Sequence, residues 1–351
     1  ASEITNNSIT LNVSATAGNN PIETYYYSNN NGLSYQTSSS NTYTFSGLEA
    51  GVKYNFIVYA IDSAGYKSNE YTLQTTTESG VNFANYIINT VYTSDGANDL
   101  YYHDGVGTYT NASQEAGDNS YRYSGANPNN YVCFGSDAAT CPNDNLYRII
   151  GLFDDDKDGI YNIKLIKNTS IGDYAWDSGN SNTWNSSTKP DIRTTLNSTF
   201  LGTINSAWQS KIATHVWKVG GMAQDNSATA KEYYNTEIGS SSSSTTDNMK
   251  IGLMYVSDYG YAAAPSNWTT ALNDYDNATS TNWLYLDDYE WTISRRPGYT
   301  SYAFFVDGPG FVYYYNVTIS SEVRPSFYLE SSVVLTGGTG TLSDPYKLSV
   351  D

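Results

Sequence analysis

The sequence predicts a β-rich chain in two parts, a small N-terminal β-sandwich followed by a larger α+β region. Three observations carry that prediction. Short runs of alternating apolar and polar residues recur through residues 1–78. Tyr is abundant, at 35 residues, while charged residues make up only 15% of the chain. Near the C-terminus two runs of high strand propensity, Tyr302 to Val306 and Phe311 to Asn316, flank Asp307-Gly308-Pro309-Gly310. Only a turn suits that cluster, so the three pieces together predict a β-hairpin.

Length and charge bound the function classes. A chain of 351 residues suits two domains or one large one, with ample material for a buried core. Aromatic residues make up 15% of the chain and are spread along it, which excludes disorder. The net charge of −18 argues against nucleic acid and anionic membrane as partners. No apolar run is long enough to span a bilayer, and no signal peptide leads the chain, so Ala1 reads as a processed or truncated start. Sparse aliphatics with plentiful Tyr, Asn, Ser, Thr and Gly suit a rigid extracellular protein better than a cytosolic enzyme.

In residues 1–78, Ser8 to Val13 alternates as a strand and Ile22 to Tyr27 makes a second. Tyr43 to Phe45, a turn over Gly47 to Gly51, and Tyr54 to Ala60 follow as strand, turn and long strand. The run LEAGVKYNFIVYAIDSAG closely resembles the fibronectin type III signature, and the resemblance makes Tyr54 a tyrosine-corner residue. The Trp usual early in that family is absent, and Tyr25 to Tyr27 are expected to fill its space. Such modules imply a spacer. Gln74 to Gly80 is a polar exit from the last strand and the expected boundary, giving domains 1–78 and 81–351.

The second region starts with an expected helix over Val81 to Thr93, with Phe83, Ile87, Ile88 and Val91 on one stripe. Cys133 and Cys141 lie close together in NYVCFGSDAATCPND. In an oxidising compartment they predict a disulfide, since two thiols with no nearby His are too few for a structural zinc site. Strands are expected at Leu146 to Phe153 and Ile160 to Ile166. Between them Asp154, Asp156, Asp158 and Gly159 match the start of a calcium loop. That match fails at Leu165, where a bidentate Glu is expected, so an acidic hairpin tip and a weak calcium site both remain readings. Asp191 to Thr214 is the best helical stretch, with Ile192, Leu196, Phe200 and Ile204 at four-residue steps, and a second helix capped by Asn205 or Ser206. Ala228 to Ile238 reads as a short helix and Lys250 to Ser257 as a buried strand.

Alternation in the hairpin puts Phe304, Val306 and Val312 on a core face, and Phe305, Phe311, Tyr313 and Tyr315 on the other. A second aromatic face either covers another element or contacts a partner, and Tyr and Phe offer stiff contact area at low rotamer cost. From Arg295 to Ser321 there is no Lys, Glu, Gln, Trp or Met. The types present are those reachable by mutating AAC and AAT codons, although a Tyr-rich chain also reaches such a depletion by chance. The segment resembles the C-terminal repertoire of C-type-lectin-like variable proteins diversified by retroelements. More closely, residues from about 98 onward are similar to a prepilin-like bacterial surface-protein family ending in EWTISR and VRPxFYL, here Glu290 to Arg295 and Val323 to Leu329. That resemblance implies an α+β C-type-lectin-like domain and display on a cell surface, a filament or a phage tail tip. The expected partner is a protein or glycan on another cell. The residues expected to meet it are Arg296, Tyr299, Tyr302, Phe305, Asp307, Phe311, Tyr313, Tyr315 and Thr318, with Arg296 and Asp307 supplying charge specificity.

No constellation carries catalysis. Asp287, Asp288 and Glu290 are dense, and the structural reading bonds Glu290 to backbone or to Arg324. His103 and His215 are the only histidines, and no nucleophile elbow, metalloprotease helix or phosphate loop accompanies them. Recognition without turnover is therefore expected. A filament subunit is the first rival reading, and an enzyme acting on glycans or sulfate esters the second.

Overall fold

The computed structural model describes residues 1–4, 8–48, 51–77, 80–106, 111–222 and 227–350. Glu49-Ala50 of the expected turn and Glu78-Ser79 of the expected boundary lie outside the described residues. The fold is β-rich, and the described chain divides into two compact units, Ala1–Val81 and Asn82–Val350.

In the first unit the strands are β1 (Glu3–Ile4), β2 (Ser8–Asn12), β3 (Ile22–Ser28), β4 (Gln36–Ser38), β5 (Thr42–Ser46), β6 (Lys53–Asp62) and β7 (Tyr71–Thr76). They form one sheet ordered β1-β2-β5 and another ordered β4-β3-β6-β7. Inward positions two residues apart supply the core: Ile9 and Leu11 from β2, and Phe56 and Val58 from β6, with Tyr27 and Phe45 between them. Tyr27 is fully buried, stacks on Tyr43 at 5.1 Å, and donates its hydroxyl to the Ser40 carbonyl. Of the expected Tyr25 to Tyr27, Tyr27 is thus a core residue, while Tyr25 and Tyr26 are half-buried.

The second unit opens with α1 (Phe83–Tyr86), which runs on as a wider turn over Ile87–Val91. Its strands include β8 (Tyr131–Cys133), β9 (Leu146–Phe153), β10 (Asn162–Lys167) and β11 (Asp173–Ala175). After them come α2 (Asp191–Thr194), continuing in helical turns to Thr203, then α3 (Ser206–Gln209) and α4 (Ala230–Glu237). β12 (Ile251–Gly252), α5 (Val256–Ala262), β13 (Glu290–Arg295), β14 (Tyr302–Val306), β15 (Val312–Asn316), β16 (Ser320–Glu322), β17 (Ser326–Tyr328), β18 (Val334–Gly337) and β19 (Tyr346–Leu348) complete it.

A large sheet runs β12-β17-β10-β9-β8-β19-β18, and a second runs β11-β16-β13-β14-β15. The beginning and end of this unit meet, because the Phe83 N–H donates to the Val333 carbonyl and the ring of Phe83 sits 5.2 Å from that of Tyr346. Near the turn after β8, Cys133 and Cys141 form the expected disulfide, with Cα atoms 5.7 Å apart.

The stretch Lys250 to Ser257 departs from expectation. Only Ile251–Gly252 is strand, and a helix starts at Val256. Propensity disfavours that helix, since Ser257, Asp258 and Gly260 are weak formers. Contacts from elsewhere in the chain impose it. The Asp258 carboxylate accepts the Tyr255 N–H at 2.8 Å, and the buried Glu237 carboxylate accepts the N–H groups of Val256 and Ser257 at 3.0 and 2.9 Å. Gly260 lets α5 pass close to α4, because a Cβ there would stand 2.7 Å from that of Ala230.

Asp258 also anchors a buried ion network. It receives Lys164 Nζ at 2.6 Å and faces Arg122 at 3.4 Å, while Arg122 pairs with Asp118 at 2.7 Å. The rings of Phe153 and Tyr261 lie 4.6 and 5.1 Å from the Arg122 guanidinium, and that of Tyr255 lies 4.4 Å from Lys164. Each buried cation therefore has both a carboxylate and aromatic faces, the arrangement that offsets desolvation.

Candidate functional site

The hairpin occupies one side of the second sheet, with β15 as the terminal strand of its order. Its register pairs Phe304 with Tyr314, Phe305 with Tyr313, and Val306 with Val312. Phe304, Val306 and Val312 are buried as the alternation requires, with Phe304 meeting the ring of Tyr233 edge-on at 5.8 Å. The opposite face is graded across the strands. Trp291 on β13 and Ala303 and Phe305 on β14 are buried, whereas Tyr313 and Tyr315 on β15 are 39% and 49% exposed. On this face β15 thus presents aromatics to solvent, as does Tyr289 just before β13, which is 49% exposed.

Two of the expected contact residues do not belong to that surface. Phe305 is 4% exposed, because Tyr289 stacks over it at 5.8 Å and Trp291 meets it edge-on at 5.8 Å. Trp291 lies on the preceding strand, directly opposite Phe305, and Tyr289 just before it, so alternation within the hairpin alone does not reveal the cover. Asp307 is 6% exposed, and its carboxylate accepts the N–H groups of Gly310 and Phe311 at 3.1 and 3.2 Å. Its charge closes the turn and is not offered outward, and burial pushes its carboxyl above the ordinary carboxylate range. The tip is also tied down, since the hydroxyls of Tyr259 and Tyr285 donate to the carbonyls of Gly310 and Gly308, each at 2.6 Å.

The other expected residues gather beside the exposed strand. Tyr299 is 51% exposed, Thr318 is exposed, and Tyr302 and Phe311 are half-buried. The half-buried Arg296 lies between two rings, its guanidinium 4.0 Å from Tyr299 and 3.6 Å from Tyr314. Its Nε and Nη1 are buried and make no hydrogen bond among the described residues.

The loop carrying it is held by Asn182, a buried side chain that no local pattern singles out. Asn182 Nδ2 lies 3.0, 2.7 and 2.7 Å from the carbonyl oxygens of Arg296, Tyr299 and Tyr302. Beneath the hairpin Arg324 pairs with Glu290 through two bonds of 2.8 and 2.7 Å and donates to the Leu284 carbonyl at 2.6 Å. That is the structural role read for both residues from sequence. Tyr289 and Tyr314 join the site through these tertiary contacts alone.

Other candidates lie elsewhere. Ligand oxygens of Asp154, Asp156 and Asp158 come within 4.8 Å of one another. Asp154 already accepts the N–H groups of Asp158 and Gly159, both at 3.0 Å, which closes the turn between β9 and β10. Leu165, at the twelfth position of the calcium-loop pattern, is fully buried in the core, so that pattern's bidentate ligand has no equivalent here. His215 stacks on Tyr328 at 3.8 Å and meets Asp155 at 3.1 Å. His103 is completely buried, and burial next to Arg122 holds its imidazole well below the usual histidine range, which keeps it neutral. Its Nδ1 accepts the Ala116 N–H at 3.1 Å.

Comparison with known proteins bears on the first unit. A chitinase from Bacillus thuringiensis is 27% identical over 22% of this chain and 12% of its own, with a TM-score of 0.21. The fibronectin type-III domain of a human fibronectin type III domain containing protein is 24% identical over 22% of this chain and 79% of its own, with a TM-score of 0.18. A SusE-like protein aligns over 93% of this chain and 85% of its own at 13% identity and a TM-score of 0.15. No curated protein sequence matches the chain. None of these three likenesses assigns a fold to residues 82–350. The family model that matches is the fibronectin type III domain, over residues 1–78, and those residues are such a domain.

Proposed function

We propose that the chain is an extracellular, surface-displayed recognition protein without catalytic turnover. In this reading the fibronectin type III domain is a spacer, and the larger unit, of C-type-lectin-like kind, binds a protein or glycan on another cell through its hairpin. One observation carries the reading: Tyr313 and Tyr315 stand exposed on the outer strand, and Tyr299 stands exposed against Arg296, which stacks on Tyr314 of that strand, with the loop held by Asn182 and the neighbouring strand by the Arg324–Glu290 pair. Tyrosine and arginine dominate binding hot spots because each combines stiff contact area with polar reach. A pinned scaffold lowers the ordering cost of association.

The test uses the whole chain, fluorescently labelled, on arrays of immobilised glycans and immobilised cell-surface proteins. Ligands retained by the wild type are expected to lose at least about tenfold in affinity with Tyr313→Ala/Tyr315→Ala, since each hot-spot truncation costs about 1–2 kcal/mol. Binding undiminished in the double variant contradicts the reading. A filament subunit is the second reading, favoured by β15 being the terminal strand of its sheet, because an unpaired strand edge accepts a strand from a neighbouring copy. Concentration-dependent sedimentation that the same double variant abolishes selects it.

A further inference from the structure

A cavity of about 600 Å³ opens in the larger unit, between the end of β10, β11 and the helical turns of residues 195–205. Its size falls within the roughly 300–1,000 Å³ typical of small-molecule sites. Tyr147, Tyr174 and Phe200 give it aromatic walls, and Lys167, Thr195 and Thr199 give it polar groups.

Lys167 is the unusual member. It is 7% exposed, makes no ion pair among the described residues, and has one hydrogen bond, to the Thr169 hydroxyl at 3.3 Å. Burial pulls its ammonium below the ordinary lysine range, partly offset by the charge of the exposed Asp144, and the ring of Tyr147 lies 5.9 Å from Nζ. An ammonium has three donors, and among the described residues the protein meets one of them. The hydroxyls of Thr195 and Thr199, four residues apart on one helical face, likewise make no hydrogen bond among the described residues.

We infer that this cavity is a binding site for a hexuronic acid, a polyhydroxylated ring that carries a carboxylate. The carboxylate pairs with Lys167 and supplies the acceptors that the ammonium lacks. Ring hydroxyls exchange hydrogen bonds with Thr195 and Thr199 and donate to Asp144, while an apolar ring face lies against Tyr174 or Phe200. A neutral hexose meets every element of this set except the charge. The site is separate from the hairpin and does not depend on it.

The experiment is calorimetric titration of the whole chain with methyl β-D-glucuronide, methyl α-D-galacturonide and methyl β-D-glucoside at low ionic strength. At least one uronide is expected to bind about tenfold or more tightly than the glucoside. Lys167→Met is expected to erase that preference, and Tyr313→Ala/Tyr315→Ala to leave it intact. If Lys167→Met does not fold, Thr195→Val/Thr199→Val, which touches half-buried and exposed positions only, is expected to weaken uronide and glucoside alike. Equal affinity for acid and neutral sugar overturns the inference. So does no measurable binding of any of the three, or a preference that survives Lys167→Met.

Discussion

Arg324 and Arg296 lie at opposite depths of the same hairpin and are treated in opposite ways. Arg324 is 2% exposed, and its carboxylate partner, Glu290, is buried with it and meets it at 2.7 and 2.8 Å. Arg296 has no carboxylate partner among the described residues and is stacked instead between the rings of Tyr299 and Tyr314. Arg122 follows the first pattern through Asp118 and Asp258, whereas Arg148, which also lies 4.3 and 4.5 Å from the rings of Tyr131 and Trp283, has no carboxylate partner among the described residues and donates to Asn130 and the carbonyls of Pro128 and Trp283. The difference separates scaffold from surface. The buried guanidiniums spend their donors on protein acceptors, whereas Arg296 is held by two aromatic rings, with its Nε and Nη1 buried and without a hydrogen bond among the described residues.

Substitutions on the two sides should therefore fail in different assays. Arg324→Leu leaves Glu290 buried without its counter-ion and is expected to destabilise the larger unit by about 3–5 kcal/mol. Calorimetry of the whole chain checks this, with the fibronectin type III unit's own transition unchanged. A loss below about 1 kcal/mol would break the distinction.

A second scaffold group reports through pH. Burial pushes the Glu237 carboxyl up to about 7, against an ordinary value near 4.5, despite the N–H groups of Val256 and Ser257 and the Ser294 hydroxyl that it accepts. Between those two pH values the folded chain binds a proton that the unfolded chain has released. Stability from this group is therefore present below about pH 4.5 and is lost as pH rises through about 7. Up to about 3 kcal/mol is at stake. Carboxylates held low, such as Asp118 and Asp247, act in the opposite sense and only at lower pH. His103, held well below its ordinary range, acts in the opposite sense within this window, so the test is a difference: from pH 5 to pH 8 the melting temperature of the larger unit is expected to fall relative to that of Glu237→Gln. An unchanged slope would remove Glu237 from the account.

On the surface side, Arg296→Ala or Tyr313→Ala is expected to change stability by less than about 1 kcal/mol, the usual scale for exposed stacking. A larger loss in the same calorimetric scan would make the aromatic patch part of the core.

The sequence shows the hairpin, its turn and its core face, because period-two alternation and an Asp-Gly-Pro-Gly cluster are local signals. The Asp191 to Gln209 helical region, α4 and the disulfide are legible for the same reason. The cover on Phe305 is not, since Tyr289 and Trp291 reach it across the sheet. Asn182, more than a hundred residues from the loop that it holds, leaves no periodic trace. α5 is hidden as well, because its residues prefer other conformations and the Glu237 carboxylate, from α4, helps to impose the helix.

The central claim, that the outer hairpin face is a recognition surface, is tested most directly by variation at the gene. The measurement is the nucleotide sequence of this locus across several isolates, aligned over residues 285–330. The account predicts substitutions concentrated at Arg296, Tyr299, Tyr313, Tyr315 and Thr318, with Phe304, Phe305, Val306, Asp307 and Val312 retained. Variation no greater than that of residues 100–150, or spread equally over the buried positions, would contradict it.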